Sequence, residues 1–285
     1  MADNKDKISF QGQSGAYSEV ACKAYFPDME TISCDTFEDA FYSVSSGNVK
    51  YAMIPIENSQ AGRVADIHNL LANSSLHIVG EHFQRVRHQL LGIPGAKISN
   101  LKTVYSHTQA VSQCRKFINN HNLMPIILGD TAGAAADVAK KKDISNAAIA
   151  SQLAAKKYGL EIISSDIEDS NNNVTRFVII SKDAIDPDPD NGLVITSCIF
   201  KVRNIPAALY KALGGFATNR VNLLKLESYM IDDSFSSSQL PQFYVDIAGH
   251  PSDKRVSLAL EELGFFTNKV KILGVYKAHE SRDRD

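Results

Sequence analysis

Asp186-Pro187-Asp188-Pro189-Asp190-Asn191-Gly192 divides this chain in two. Neither proline has an amide proton, and each pushes the residue before it to extended geometry, so the stretch continues neither a helix nor a central strand. Residues 183–192 read as a linker. Upstream of it, strand and helix signals alternate. Lys7–Gln11 reads as a strand and residues 16–26 as a helix behind the Gly12-Gln13-Ser14-Gly15 turn. Thr36 is a helix N-cap with Asp39 at the capping-box position; Phe37, Ala40, Phe41 and Val44 share one face, and Gly47 is the stop. Residues 51–55 read as a strand, 57–62 as a polar turn, 67–71 as a helix and 76–79 as a strand. The pattern repeats with strands at 103–105, 125–128 and 147–150. A helix at 109–119, one capped by Thr131 and one capped by Ser151 and ended by Gly159 lie between or after them. Such alternation predicts parallel sheets with right-handed crossovers, and ligands at the carboxyl ends of the strands.

Downstream of the linker the order changes. Val194–Val202 is a strand, 206–218 a helix, 223–231 a strand, 232–239 a polar loop, 243–247 a strand, 253–263 a helix and 270–275 a strand. That is βαββαβ, the ferredoxin-like pattern. So small a unit gains stability by pairing with a second copy.

The chain has 285 residues, enough for about two domains, with 44% hydrophobic and 22% charged residues. A net charge of −2 argues against broad nucleic-acid binding, which needs a concentrated basic surface. The polar segment 1–7 lacks the apolar core of a secretory signal, and no run approaches the ~18 apolar residues of a membrane span. A cytoplasmic protein without membrane partners is expected. Cys22, Cys34, Cys114 and Cys198 are scattered, which fits reduced thiols better than disulfides or a zinc site.

Four polar clusters fall where strands end and helices begin, and a fifth stands at a strand entrance. In Gln11-Gly12-Gln13-Ser14-Gly15-Ala16-Tyr17-Ser18, glycines admit a ligand to the backbone and free amides bind anions; a glycine turn with a serine cap has the same composition. Glu57-Asn58-Ser59-Gln60 follows an apolar strand and offers hydrogen bonds to carboxylates or hydroxyls. Ser106-His107-Thr108-Gln109 opens a helix on which Gln109 and Gln113 share a face. Nothing places an orienting carboxylate beside Ser106 and His107, so a cap is preferred there to a nucleophile and base. Asp130-Thr131-Ala132-Gly133-Ala134-Ala135 has the small residues of a close packing contact. In Asn173-Val174-Thr175-Arg176-Phe177, strand parity puts Thr175 and Phe177 on one face and Arg176 on the other. His77, His82 and His88 lack metal-site spacing and read as structural or surface residues.

Taken in this order, the five clusters resemble prephenate dehydratase, and the resemblance runs from about Ile8 to Tyr276. It implies an α/β catalytic region at 7–182, two-lobed like a periplasmic binding protein, with crossings near 84–89 and 163–172. The α+β unit at 193–277 is similar to the ACT regulatory domain. The implied reaction is decarboxylating dehydration of prephenate to phenylpyruvate, in phenylalanine synthesis. Aromatisation drives it without a metal or organic cofactor. The implied catalytic residues are Thr175, Asn58, Ser106 and Gln113. Thr175 would stabilise charge on the departing oxygen, since a threonine hydroxyl is a feeble acid. Ser14, Tyr17, Glu57, Ser59, His107, Thr131, Arg176 and Phe177 would bind substrate. Arg176 is either a carboxylate anchor or part of a structural ion pair, and Phe177 is wall or core.

By the same resemblance L-phenylalanine is the effector, bound near Ala208, Leu209, Asn222, Leu223, Glu227 and Ser228, and the protein is a homodimer or homotetramer. Two departures bear on this. Family members usually carry Gly-Ala-Leu-Val and Glu-Ser-Arg-Pro where this chain has Ala207-Ala208-Leu209-Tyr210 and Glu227-Ser228-Tyr229-Met230. Two alternatives stand beside the main reading: an arogenate dehydratase of the same fold, and a non-catalytic amino-acid sensor.

Overall fold

The computed structural model describes residues 6–64, 67–230 and 241–284. The elements begin β1 (Lys7–Gln11), α1 (Tyr17–Tyr25), β2 (Glu30–Cys34), α2 (Phe37–Ser45), β3 (Tyr51–Asn58), β4 (Gly62–Arg63), α3 (Ile67–Asn73) and β5 (His77–Arg85). They continue β6 (Gln89–Gly92), β7 (Thr103–Ser106), α4 (Thr108–Gln113), α5 (Arg115–Asn120), β8 (Met124–Ile127), α6 (Thr131–Lys141), β9 (Asn146–Ala150), α7 (Gln152–Tyr158), β10 (Glu161–Ser164) and β11 (Val174–Ser181). After the irregular stretch at 183–192 come β12 (Val194–Val202), α8 (Ala208–Thr218), β13 (Leu223–Tyr229), β14 (Gln242–Ala248), α9 (Lys254–Phe266) and β15 (Thr267–Lys277). The predicted loop 232–239 lies outside the described residues.

The mixed α/β architecture follows the expected plan of a two-lobed region and a C-terminal βαββαβ unit. One lobe is a sheet of order β2-β1-β3-β11-β5, with β4 paired to β3. The other is a sheet of order β10-β6-β9-β7-β8. In the first, β1 pairs parallel with both β2 and β3. The second departs from the all-parallel expectation. β7 runs parallel to β8 and β9, but β6 is antiparallel to both β9 and β10. β6 and β10 carry the chain in and out of this lobe, and neither is followed by a crossover helix.

Local chemistry explains the element boundaries. Thr36 makes the predicted capping box with Asp39. Ser151 caps α7, and Gly159 closes it at φ 65°. The single helix predicted at 109–119 is broken at Cys114, because the Gln113 carbonyl accepts the Asp169 amide at 2.7 Å instead of extending the helical ladder. The cap of α6 is Asp130, not Thr131: its carboxylate accepts the Gly133 amide at 2.6 Å, and Thr131 is the first helical residue. A carboxylate one residue earlier outcompetes the hydroxyl for the free amides of the first turn.

Contacts divide the chain into two compact units, Met1–Val64 with His82–Phe177, and Ala65–Glu81 with Val178–Asp285. The first holds β1 to β4, β6 to β10 and parts of β5 and β11. In the second, an antiparallel sheet of order β13-β14-β12-β15 packs α8 and α9 over Phe200, Phe216, Phe243 and Leu263. The same unit holds α3: Lys271 donates from β15 to the carbonyls of Leu71, Ala72 and Ser74 at the helix's C-terminal end. A cation there satisfies orphan carbonyls and complements the helix dipole.

Candidate functional site

The site is built where β3, β11 and the α4–α5 break meet within the first unit. Asn58, at the end of β3, has its orientation set by the backbone. Its Oδ1 accepts the amides of Gln60 at 3.0 Å and Ala61 at 2.9 Å. Its Nδ2 therefore faces β11 and donates to Asn173 Oδ1 and Thr175 Oγ1, both at 2.9 Å. Asn173 Nδ2 in turn donates to Gln113 Oε1 at 2.9 Å. Ser59 locks the same turn: its amide donates to the Val174 carbonyl at 2.9 Å and its hydroxyl to the Asn172 carbonyl at 2.7 Å. Three residues distant in sequence, Asn58, Gln113 and Thr175, thus share one hydrogen-bond chain.

Beside this chain lies a cavity of about 480 Å³, lined by Gln60, Ala61, Gln109, Gln113, Arg115 and Asp169 among others. Arg115 brings an exposed guanidinium to it. Composition offered no signal for Arg115; only the break at Cys114, invisible in the helical pattern, turns it to the cavity.

The remaining predicted residues are placed as follows. Arg176 is 1% exposed and pairs with Glu57 at 3.3 Å. Of its two readings, the structural ion pair is the one observed. Phe177 is 1% exposed and packs in the core. Ser106 is fully buried, and its hydroxyl donates to the Ile149 carbonyl at 2.6 Å. His107 caps α4, its Nδ1 accepting the Gln109 amide at 3.3 Å. Ser14 joins the buried Glu19 and Lys157, and Lys157 pairs with Glu19 at 2.6 Å. Burial raises the pKa of the Glu19 carboxyl, but Lys157, the Gly15 amide and Thr31 lower it further, so the net shift is down. The Tyr17 hydroxyl lies 2.8 Å from the Arg87 carbonyl and 2.9 Å from His88 Nδ1, two acceptors between which its one proton is shared. Burial holds the Tyr17 phenol well above its ordinary range and pushes the His88 imidazole below its own.

In the second unit, Ala208 and Leu209 begin α8 behind Ala207, which sits at φ 58°. Ala208 and Leu209 contribute to the core, while Asn222 and Ser228 are exposed and Leu223 packs at its edge. Glu227 pairs with Lys225 at 3.0 Å and lies 3.6 Å from His68. Tyr229 tilts against the His68 ring at 5.1 Å.

Cys22, Cys114 and Cys198 are buried, and desolvation raises all three thiols, which leaves them poor nucleophiles. Among the described residues no group of three or more His, Cys, Asp or Glu is placed to hold a metal ion, and no helix is long and apolar enough to cross a membrane.

Two α/β lobes, a polar network at a cavity and an appended βαββαβ unit define a two-lobed α/β protein with a C-terminal ferredoxin-like unit. The chain belongs to the prephenate dehydratase family, whose model matches residues 8–185. It is 46% identical over 276 residues to the bifunctional N-acyl-homoserine lactone acylase/prephenate dehydratase of Komagataeibacter europaeus, covering 96% of this chain and 97% of that protein. It is 41% identical over 285 residues to arogenate dehydratase/prephenate dehydratase 1, chloroplastic, of Arabidopsis thaliana, covering 96% of this chain and 72% of that protein. The crystal structure of prephenate dehydratase in complex with L-Phe from Arthrobacter aurescens superposes with a TM-score of 0.86 at 29% identity, covering 95% of this chain and 89% of that one. The resemblance carried by the five clusters is borne out at the level of the family and its fold.

Proposed function

We propose that this chain is a prephenate dehydratase. Prephenate dianion and one proton give phenylpyruvate, carbon dioxide and water, with the carbon–carboxylate and carbon–hydroxyl bonds breaking as the ring becomes aromatic. The observation that carries the reading is the bond from Asn58 to Thr175 Oγ1. Because that oxygen accepts from Asn58, its own proton remains for a second partner, and the departing substrate oxygen fills that role. A donor aimed at developing negative charge in a water-poor site is the most effective use of a weakly acidic hydroxyl. Gln113 orients the substrate from the cavity wall, Asn58 holds the Thr175 hydroxyl in place, and Ser106 supports β7 behind them. The free guanidinium of Arg115 serves a carboxylate better than Arg176, whose charge is engaged by Glu57.

The C-terminal unit is read as the ACT domain, with L-phenylalanine as effector and a homodimer or homotetramer as the assembly, in the cytoplasm. The Arthrobacter protein's complex with L-Phe supports the effector. Ala207 and Tyr229 alter its site.

The test supplies prephenate, arogenate and an N-acyl-homoserine lactone to the purified protein, the latter two because relatives carry those names. Phenylpyruvate from prephenate at the highest kcat/KM is the expected result. Preference for arogenate would make it an arogenate dehydratase, and ligand-induced thermal stabilisation without turnover would make it a sensor.

A further inference from the structure

We infer that His88 is a positioning residue for Thr175, acting through Gln113, Asn173 and Asn58 to fix the direction of the Thr175 hydroxyl. The kinetic part of this inference rests on the dehydratase reading above. The structural part does not.

The direction of every bond in the chain follows from two backbone amides, which can only donate. The amides of Gln60 and Ala61 both point at Asn58 Oδ1, so the Asn58 side-chain nitrogen must face the other way. Its two protons go to Asn173 Oδ1 and Thr175 Oγ1. With its oxygen engaged, Asn173 presents its nitrogen to Gln113 Oε1. That oxygen accepts a second bond from His88 Nε2 at 2.8 Å. An amide oxygen cannot donate, so His88 carries its proton on Nε2, and Nδ1 is left to face the Tyr17 hydroxyl at 2.9 Å.

The imidazole is held as a fixed element. It is 2% exposed. Its main-chain amide donates to Glu168 Oε2 at 2.9 Å, and Tyr17 packs edge-on with ring centroids 5.5 Å apart. Burial lowers its pKa against the opposing effects of Gln113 and Glu168, so the neutral ring is the resting form. The links between His88 and Thr175 are carboxamides, which do not relay protons at neutral pH. The chain therefore sets geometry and does not conduct a proton. Without the His88 donor, Gln113 Oε1 loses one of two partners and the amide is free to rotate. Rotation would present its nitrogen to the Asn173 nitrogen, donor against donor, and displace the Asn173 side chain; Asn58 keeps its orientation, but its Nδ2, shared by Asn173 and Thr175, loses one partner and shifts its bond to Thr175 Oγ1. Misplacement of a reacting group by about 1 Å can cost on the order of 100-fold in rate.

The experiment compares His88→Leu, His88→Gln and His88→Asn in the full chain, with Thr175→Val as reference. A glutamine amide reaches the position of Nε2, whereas an asparagine amide reaches only Nδ1. We expect kcat to fall roughly 10- to 100-fold in His88→Leu and His88→Asn with KM within about twofold, and His88→Gln to recover most of it. Unchanged kcat in His88→Leu, in a preparation where Thr175→Val is crippled, overturns the positioning role and leaves the dehydratase reading standing. Should His88→Leu fail to fold, equal kcat for His88→Gln and His88→Asn overturns it in the same way. If the wild-type protein turns over neither prephenate nor arogenate, the functional reading fails instead. Nitrogen NMR of the histidines decides the relay in that case: a proton on Nε2 of His88 upholds it, and a proton on Nδ1 alone overturns it.

Discussion

Asn58 Nδ2 donates to Thr175 Oγ1 at 2.9 Å, across 117 residues of sequence, and the bond decides which way the threonine hydroxyl works. As an acceptor from Asn58, Thr175 keeps its proton for the substrate. Thr175→Val preserves shape and β-branching and removes only the hydroxyl. We predict a loss of about 100- to 1,000-fold in kcat with little change in KM, the range seen when one donor to a developing oxyanion is removed. Thr175→Ser, which keeps the hydroxyl, should retain activity within about tenfold. Steady-state kinetics on prephenate checks both, and a silent Thr175→Val sinks the role.

Arg176 and Arg115 should separate stability from binding. Arg176 is buried against Glu57, so Arg176→Met removes one buried charge-assisted contact; Glu57 is 34% exposed in its side chain, and solvent softens the loss. A cost of about 1–3 kcal/mol is expected, read as a lower urea midpoint. Arg115→Ala should leave that midpoint unmoved and raise KM by roughly 10-fold or more, the worth of one charge-assisted bond to a substrate carboxylate. If Arg176→Met raises KM at unchanged stability instead, the two roles are exchanged.

Much of this was legible in the sequence because it was local. The capping box at Thr36 and the stop at Gly159 each depend on a few adjacent residues, and the structure holds them as read. The βαββαβ order was equally plain, its strands being long and apolar. What escaped was non-local. β6 and β10 are four-residue strands, paired with each other and, for β6, with β9, so no periodicity announces them. The helix break at Cys114 depends on an amide far along the chain, that of Asp169, which meets the Gln113 carbonyl at 2.7 Å. Within the candidate site, the family resemblance points to Asn58, Gln113 and Thr175, but not to the two groups that connect and orient them. In sequence Asn173 is only the first residue of a polar stretch, and His88, without metal spacing, reads as a structural histidine.

Ala207 offers a test of the departure in the C-terminal unit. It takes φ 58° at the start of α8, a conformation in which the side chain of an L-residue crowds the backbone. Ala207→Gly removes that crowding at some cost in chain entropy, and a net gain of about 0.5–1 kcal/mol is expected in urea unfolding. The same change removes a methyl group from the turn proposed to receive the effector. Calorimetry should then show L-phenylalanine binding more tightly to the variant than to the parent. Unchanged affinity would place the effector elsewhere.

The His88 ring also predicts a pH dependence of stability. Burial depresses its folded pKa below the ordinary 6.5, with Gln113 and Glu168 acting in the opposite direction and the neutral Tyr17 phenol facing Nδ1. Below pH 6.5 the unfolded chain therefore binds a proton that the folded protein refuses. The stability contributed by a neutral His88 is complete above that pH and is lost as pH falls through the folded pKa. The slope is at most about 1.4 kcal/mol per pH unit for one proton. His88→Gln has no such proton to take up. Urea midpoints for the two proteins should differ by a constant amount above about pH 7 and converge, or cross, as pH is lowered to 5. A gap that stays constant over this whole range would mean that His88 is not held neutral by the fold.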